Sequence, residues 1–253
     1  MSDSRPAMTH EGRVAVVTGA ARGIGQTISQ RLAQHGATVV GVDLSEMNET
    51  ERLVRQSERE WLGIQADVAS EDDVQRLAEA IDARFRRCDI VVNNAGIYPF
   101  RDWEEMDFAT WRRIISVNLD SQYLTSRALV PLMKRNAWGR IVNITSGSLL
   151  NNGTRLTAYK ASKAGVIGFT RGLAAEVGAY GITVNAVGPA LTRTPGVMEG
   201  GNEEMLKNSA QRLIVKRVPE PDDVVGTVLF LSGEDSGFVT GQTIMANGGA
   251  GFL

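Results

Sequence analysis

The chain has 253 residues, a hydrophobic fraction of 43%, a formal net charge of −2 and a single cysteine. That is ample for a sizeable α/β core, and a small net charge with no basic cluster gives no electrostatic case for nucleic acid or an anionic membrane. One cysteine excludes an intrachain disulfide, two histidines beside it offer no evident metal cluster, and no apolar stretch approaches the roughly 18 residues of a membrane span.

Residues 1–10, MSDSRPAMTH, lack the apolar run of a signal peptide and are expected to form a flexible tail on a cytoplasmic protein. A single domain is expected over 11–253. Strands are predicted at 13–18, 37–43, 61–66, 88–93, 138–145, 181–187 and 241–246, with helical patterns between them. Near-continuous runs such as Ile90-Val91-Val92 suit strands covered on both faces. Cys88, at the start of that run, is expected to be a small core residue. Without a linker or internal repeat, the alternation predicts one α/β domain built on a doubly wound, seven-stranded parallel sheet.

The first predicted strand ends in Thr18-Gly19-Ala-Ala-Arg22-Gly23-Ile24-Gly25, followed by the amphipathic run QTISQRLAQHG. Glycines at a strand-to-helix turn let the backbone approach a pyrophosphate, which the helix amino terminus holds through free N–H groups. The spacing is Gly-x-x-x-Gly-x-Gly, not Gly-x-Gly-x-x-Gly. The second strand ends at Asp43, whose carboxylate would accept from an adenosine ribose and repel a 2′-phosphate, so NAD is the expected cofactor. Arg22 acts the other way if it reaches a 2′-phosphate, unless it is solvated or paired with Asp43.

Ser146 follows the strand-like run RIVNIT, which places its hydroxyl at a carboxyl end of the sheet. Tyr159 and Lys163 are four apart in TAYKASKAGVIGFT and stack on one helix face. A nearby ammonium is expected to lower the phenol pKa from its ordinary value of about 10. Hydroxyl, phenol and ammonium together can move a proton on and off a carbonyl oxygen. The same helix carries a row of small residues, Ala161, Ala164, Gly165, Gly168, Gly172 and Ala175, which suits close approach of another helix or of the sheet. Residues 190–215 interrupt the alternation and are expected to form a substrate lid, the alternative being a surface insertion. Ser148, Leu149, Leu150, Arg155, Ile97, Leu191 and Met198 are candidate pocket residues, mostly apolar, which points to a hydrophobic substrate. Arg155 and Arg193 either pair a substrate carboxylate or form ordinary surface ion pairs.

These motifs, together with Asp67-Val68, Asn93-Asn94-Ala95-Gly96, Asn118, Asn185-Ala-Val-Gly-Pro189 and Thr240-Gly-Gln, resemble the classical short-chain dehydrogenase/reductase family from about Gly12 to Gly249. The resemblance implies a Rossmann-type domain with Tyr159 as acid/base and Ser146 bonding the reacting oxygen. Lys163 would hold the nicotinamide ribose and tune Tyr159, while Asn118 would support a water relay to Lys163. It implies cofactor contacts from Gly19, Arg22, Gly23, Ile24, Gly25 and Asp43, from Asp67 and Val68 around the adenine, and from Asn94, Ala95, Gly96, Pro189, Thr192 and Thr194. It also implies a homotetramer packed through the Tyr159 helix. The usual Pro-Gly is Pro189-Ala190 here, and the usual Asp-Gly-Gly is Asn247-Gly248-Gly249. RCDIVVNNAGIYPF, MKRNAWGRIVNITS and GPALTRT are most similar to the bacterial phenylethanol dehydrogenase group.

The expected activity is therefore NAD-dependent interconversion of a hydrophobic secondary alcohol and its ketone. A second reading within the same family is an NADPH-dependent 3-oxoacyl-[acyl-carrier-protein] reductase. A third, from another class, is a non-catalytic nucleotide-binding regulatory protein, which usually lacks the tyrosine or the lysine. A serine hydrolase is disfavoured because Ser146 has no Gly-x-Ser-x-Gly elbow.

Overall fold

The computed structural model describes residues 9–200 and 203–252. Seven strands form its sheet: β1 (Val14–Thr18), β2 (Thr38–Asp43), β3 (Trp61–Gln65), β4 (Ile90–Asn93), β5 (Gly139–Ile144), β6 (Ile182–Val187) and β7 (Thr243–Ile244). They lie in the order β3-β2-β1-β4-β5-β6-β7, and every pair is parallel. Val16 is flanked by Val40 on one side and Val91 on the other. The strand order reverses between β1 and β4, and such a switch point opens a crevice beyond the carboxyl ends of the strands.

Side chains alternate across the strands, so one β1 sequence feeds two cores. Val14 and Val16 pack with Leu77, Ile81, Leu129, Met133 and Val177. These come from α3 (Glu71–Phe85), α5 (Ser121–Arg135) and α6 (Thr157–Val177). Ala15 and Val17 face the other way, towards Ile28, Leu32, Val54, Val228 and Leu231, which lie on α1 (Gly23–Gln34), α2 (Asn48–Arg55) and α9 (Asp222–Ser232). Cys88 is fully buried in the first of these cores, and burial raises its thiol pKa. Short α4 (Phe108–Ile115) runs into α5 through a widened turn at Ser116–Asp120.

Three boundaries differ from the sequence reading. His10 is only 1% exposed. Its N–H donates to the His35 carbonyl at 2.9 Å, its Nε2 lies 2.9 Å from Ser232 Oγ, and burial lowers its pKa to about 4. His10 therefore belongs to the folded domain, because the chain there caps the end of α1; residues 1–8 lie outside the described residues. The last strand keeps only two residues, Thr243–Ile244, beginning just after Gly241 turns through positive φ. The stretch 190–215 holds two helices, α7 (Pro195–Glu199) and α8 (Glu203–Arg212), with 201–202 outside the described residues.

The small-residue row on α6 does not pack on the sheet. Ser162, Val166, Thr170, Ala174 and Val177 are the buried side, whereas Ala161, Ala164, Gly168, Gly172 and Ala175 are exposed. Of the row, Gly165 meets its own chain: a Cβ there would lie 2.7 Å from Leu119 Cδ2. Among the described residues, no helix is long and apolar enough to cross a membrane, and no group of three metal-ligating side chains occurs.

Candidate active site

A cleft of about 1750 Å³ opens along the carboxyl ends of the strands. Its first wall is the glycine turn. Gly19 has φ +67, and a Cβ on it would lie 2.8 Å from Asn94 Nδ2 and 2.9 Å from Ala95 Cα. Thr18 Oγ1 accepts from the N–H groups of Asn94 and Ala95, each at 3.0 Å. Asn94 Nδ2 donates to the carbonyls of Thr18 at 2.9 Å and Gly19 at 3.1 Å. This mesh joins the ends of β1 and β4 and fixes the floor at the switch point. Gly19, Arg22, Gly23 and Ile24 line the cleft. Gly25 does not: a Cβ there would sit 2.1 Å from the Gly19 carbonyl oxygen. Its lack of a side chain serves helix-to-strand packing.

Asp43 closes β2 with its carboxylate in the cleft, held by Ala21 N–H on Oδ2 at 2.9 Å and Ser45 N–H on Oδ1 at 3.0 Å. Arg22 does not pair with it. Its Nη1 lies 2.7 Å from both carboxylate oxygens of Glu199 on α7. Asp67, Val68, Asn94, Ala95 and Gly96 continue the wall. Asp67 accepts from Ala69 N–H at 2.9 Å and pairs with Arg113 at 3.2 Å. Pro189, Leu191, Thr192 and Thr194 form the opposite side. Gly147 N–H donates to the Pro189 carbonyl at 2.8 Å, which ties that side to the end of β5.

Ser146, Tyr159 and Lys163 meet in the middle of the cleft. Ser146 Oγ accepts from Ser148 N–H at 3.1 Å and lies 3.0 Å from Ser148 Oγ. Burial raises the Tyr159 pKa, and the nearby Ser146 hydroxyl offsets part of that rise. The expectation that Lys163 lowers the phenol pKa is therefore corrected. Lys163 Nζ lies 5.8 Å from the Tyr159 ring centre and donates to the Ile144 carbonyl at 2.7 Å. Lys163 is 3% exposed, and burial lowers its pKa to about 8. Thr145 Oγ1 donates to the Lys163 carbonyl at 2.8 Å, holding α6 against β5.

Asn118 sits in the widened turn behind this wall. Its Oδ1 accepts from Ile97 N–H at 2.8 Å and its Nδ2 donates to the Ile97 carbonyl at 2.9 Å and to Ser162 Oγ at 3.1 Å. A Cβ on Gly96 would lie 3.2 Å from Asn118 Oδ1 and 3.5 Å from Lys163 Nζ. Asn118 and Lys163 thus flank one backbone position, and the amide side chain fixes the loop that carries Ile97.

Among the pocket candidates, Ile97, Ser148, Arg155 and Leu191 line the cleft, but Leu149, Leu150 and Met198 do not. The 3₁₀ turn Gly147–Leu150 carries Ser148 into the cleft and its two leucines past it. The apolar surface comes instead from Tyr98, Phe100, Leu156, Met205 and Leu213. Alternation or motif spacing does not mark these residues, because they reach the cleft from separate loops and from α8. Arg155 pairs with Asp102 at 3.3 Å and Arg193 with Glu220 at 2.9 Å, both near the surface.

The walls suit a dinucleotide. Lys163 meets no carboxylate within ion-pair distance among the described residues and spends one donor on Ile144, although an ammonium has three. A buried cation of this kind is stabilised by further acceptors. Its remaining donors suit ribose hydroxyls, Asp43 suits a second ribose, and the turn between them suits a pyrophosphate.

The family model described as Enoyl-(Acyl carrier protein) reductase matches residues 19–251. The chain is 39% identical over 246 residues to a (2S)-[(R)-hydroxy(phenyl)methyl]succinyl-CoA dehydrogenase subunit of Thauera aromatica, covering 94% of this chain and 96% of that one. It is 37% identical over 241 residues to a 3-oxoacyl-[acyl-carrier-protein] reductase of Haemophilus influenzae, covering 94% and 98%. The crystal structure of levodione reductase superposes with a TM-score of 0.90 at 29% identity, covering 94% of this chain and 97% of that one. The chain belongs to the classical short-chain dehydrogenase/reductase family. It is an oxidoreductase of the kind that acts on alcohol and ketone substrates.

Proposed function

We propose that the protein is an NAD-dependent dehydrogenase of a hydrophobic secondary alcohol, working reversibly on the corresponding ketone. The observation that carries this reading is the convergence of Ser146, Tyr159 and Lys163 in one cleft that ends at the Asp43 carboxylate. When bound, a nicotinamide dinucleotide supplies the hydride acceptor. Ser146 holds the substrate oxygen beside Tyr159, and Tyr159 takes the hydroxyl proton as the carbonyl forms. Lys163 binds the nearby ribose through the donors that Ile144 leaves unused. Asn118 supports the water relay behind Lys163 through its place across Gly96.

Tyr98, Phe100, Leu156 and Leu213 favour an apolar group on the carbinol carbon. The hydroxy(phenyl)methyl group in the name of the Thauera aromatica relative favours an aryl one, in keeping with a phenylethanol-type substrate. The exposed row on α6 supports a homotetramer. The test is a panel of alcohols and ketones followed by nicotinamide absorbance with NADH and NADPH in parallel. Clear turnover of aryl ketones with NADH supports the reading, and equal use of both cofactors overturns the NAD assignment.

A second reading, an acyl-thioester reductase, is favoured by the outer cleft. Asn151, Asn152, Asn208 and Arg212 give that end a polar wall, and the Haemophilus influenzae relative bears such a name. Acetoacetyl thioesters in the same panel separate the two.

A further inference from the structure

Arg22 and Glu199 are 177 positions apart, and they join the glycine turn to helix α7 across the mouth of the cleft. Arg22 is the residue after Ala21, whose N–H is bonded to Asp43. Its guanidinium therefore starts beside the carboxylate read here as the ribose site, yet it points to Glu199, with Nη1 at 2.7 Å from both oxygens.

The start of α7, the helix that ends at Glu199, is anchored as well. Thr194 caps α7 by accepting from Val197 N–H at 3.4 Å. A Cβ on Gly196 would lie 3.3 Å from the Tyr98 hydroxyl and 4.0 Å from Arg22 Nη2. A Cβ on Gly23 would lie 3.2 Å from Thr194 Cγ2, so the start of α7 rests directly on the glycine turn. A carboxylate at the far end of so short a helix stays within reach of Arg22.

We propose that Glu199 is a specificity-determining residue for the cofactor, holding the one cation of the glycine turn away from the position a 2′-phosphate would take. This rests on the reading of Asp43 as the adenosine-ribose site. Asp43 excludes the phosphate by like charge, and Glu199 removes the guanidinium that would otherwise offset it. A 2′-phosphate must displace Glu199 to gain Arg22. An exposed ion pair of this kind is worth up to about fivefold in an equilibrium.

The probes are ADP-ribose and 2′-phospho-ADP-ribose, each titrated calorimetrically into wild type, Glu199→Gln, Arg22→Ala and the double variant. The expected result is that Glu199→Gln shifts the affinity ratio towards the phosphorylated probe by about two- to fivefold. The shift disappears when Arg22 is absent. An unchanged ratio in Glu199→Gln, or the same shift in the Arg22→Ala background, overturns the proposal. A wild type that binds the phosphorylated probe better than ADP-ribose overturns the NAD reading instead. The effect of Glu199 is a comparison between variants, so it is read separately.

Discussion

Lys163 Nζ donates to the main-chain carbonyl of Ile144 at 2.7 Å, in a site where the lysine is buried and meets no carboxylate among the described residues. The ammonium that serves the active site therefore costs the fold stability. Burial lowers its pKa to about 8 from an ordinary 10.5. Between these values the unfolded chain holds the proton that the folded chain has released, so stability rises with pH there. Below about pH 8 both states are protonated and the penalty is present in full.

Lys163→Met removes this titration. Wild type should gain on the variant by up to about 3 kcal/mol between pH 7 and pH 10.5, because its folded-state pKa of about 8 lies below the ordinary 10.5. Loss of the Ile144 hydrogen bond shifts the variant equally at every pH and leaves that slope untouched. Urea unfolding of both proteins across the range measures it, and a gap independent of pH would show that Lys163 is not desolvated as described. Turnover should be lost in the variant at every pH.

Tyr159→Phe should lower turnover by about 10²–10⁴-fold while ADP-ribose binding is retained, because only the proton-transfer group is removed. The phenol pKa is raised by burial, so alcohol oxidation, which needs the phenolate, should speed up as pH rises. That slope should vanish in the phenylalanine variant. Ser146→Ala should cost about 10²–10³-fold, as loss of an oxyanion-type donor does. Ser148→Ala should cost less, since Ser148 reaches the site through Ser146. A larger loss at Ser148 than at Ser146 would exchange their roles.

The sheet was legible because each strand is written in branched apolar residues that must be covered on both faces. Val14, Val16 and Val40 carry that signal, and the ends of β1, β2 and β5 follow from it to within a residue. The cleft was legible where a residue ends a strand, as at Asp43 and just after β5 at Ser146. It was not legible where side-chain direction depends on a turn, and Leu149 and Met198 fail for that reason. Nor could a spacing of four residues reveal that burial, instead of Lys163, dominates the Tyr159 pKa. The partner of Arg22 lies 177 residues away, a separation on which local pattern is silent.

Gly25→Ala should destabilise the protein by about 1–3 kcal/mol or more, by overpacking. The added methyl would fall 2.1 Å from the Gly19 carbonyl oxygen and 2.5 Å from Asn94 Nδ2. Neither can yield easily: Gly19 is backbone, and the Asn94 amide holds the carbonyls of Thr18 and Gly19. Chemical unfolding measures the loss. A variant as stable as wild type would show that helix α1 can lift from β1 without cost.

Gly168 and Gly172 invert that logic. Both lie exposed on α6, and a Cβ on either meets nothing within 4 Å of its own chain. Glycine in a helix costs about 1 kcal/mol relative to alanine, so a monomer would gain stability from Gly168→Ala and accept larger residues there. With Ala161, Ala164 and Ala175 they leave a smooth strip on which a second copy of the helix can lie closely. Tyr123, 54% exposed, stands on neighbouring α5. If copies of the chain meet across this strip, a charged side chain in its centre separates them without touching the fold of each. Light scattering should then show a tetramer for wild type and smaller species for Gly168→Glu/Gly172→Glu, with the far-ultraviolet circular dichroism unchanged. A wild type that is monomeric, or a double variant that stays tetrameric, would exclude α6 as the assembly surface.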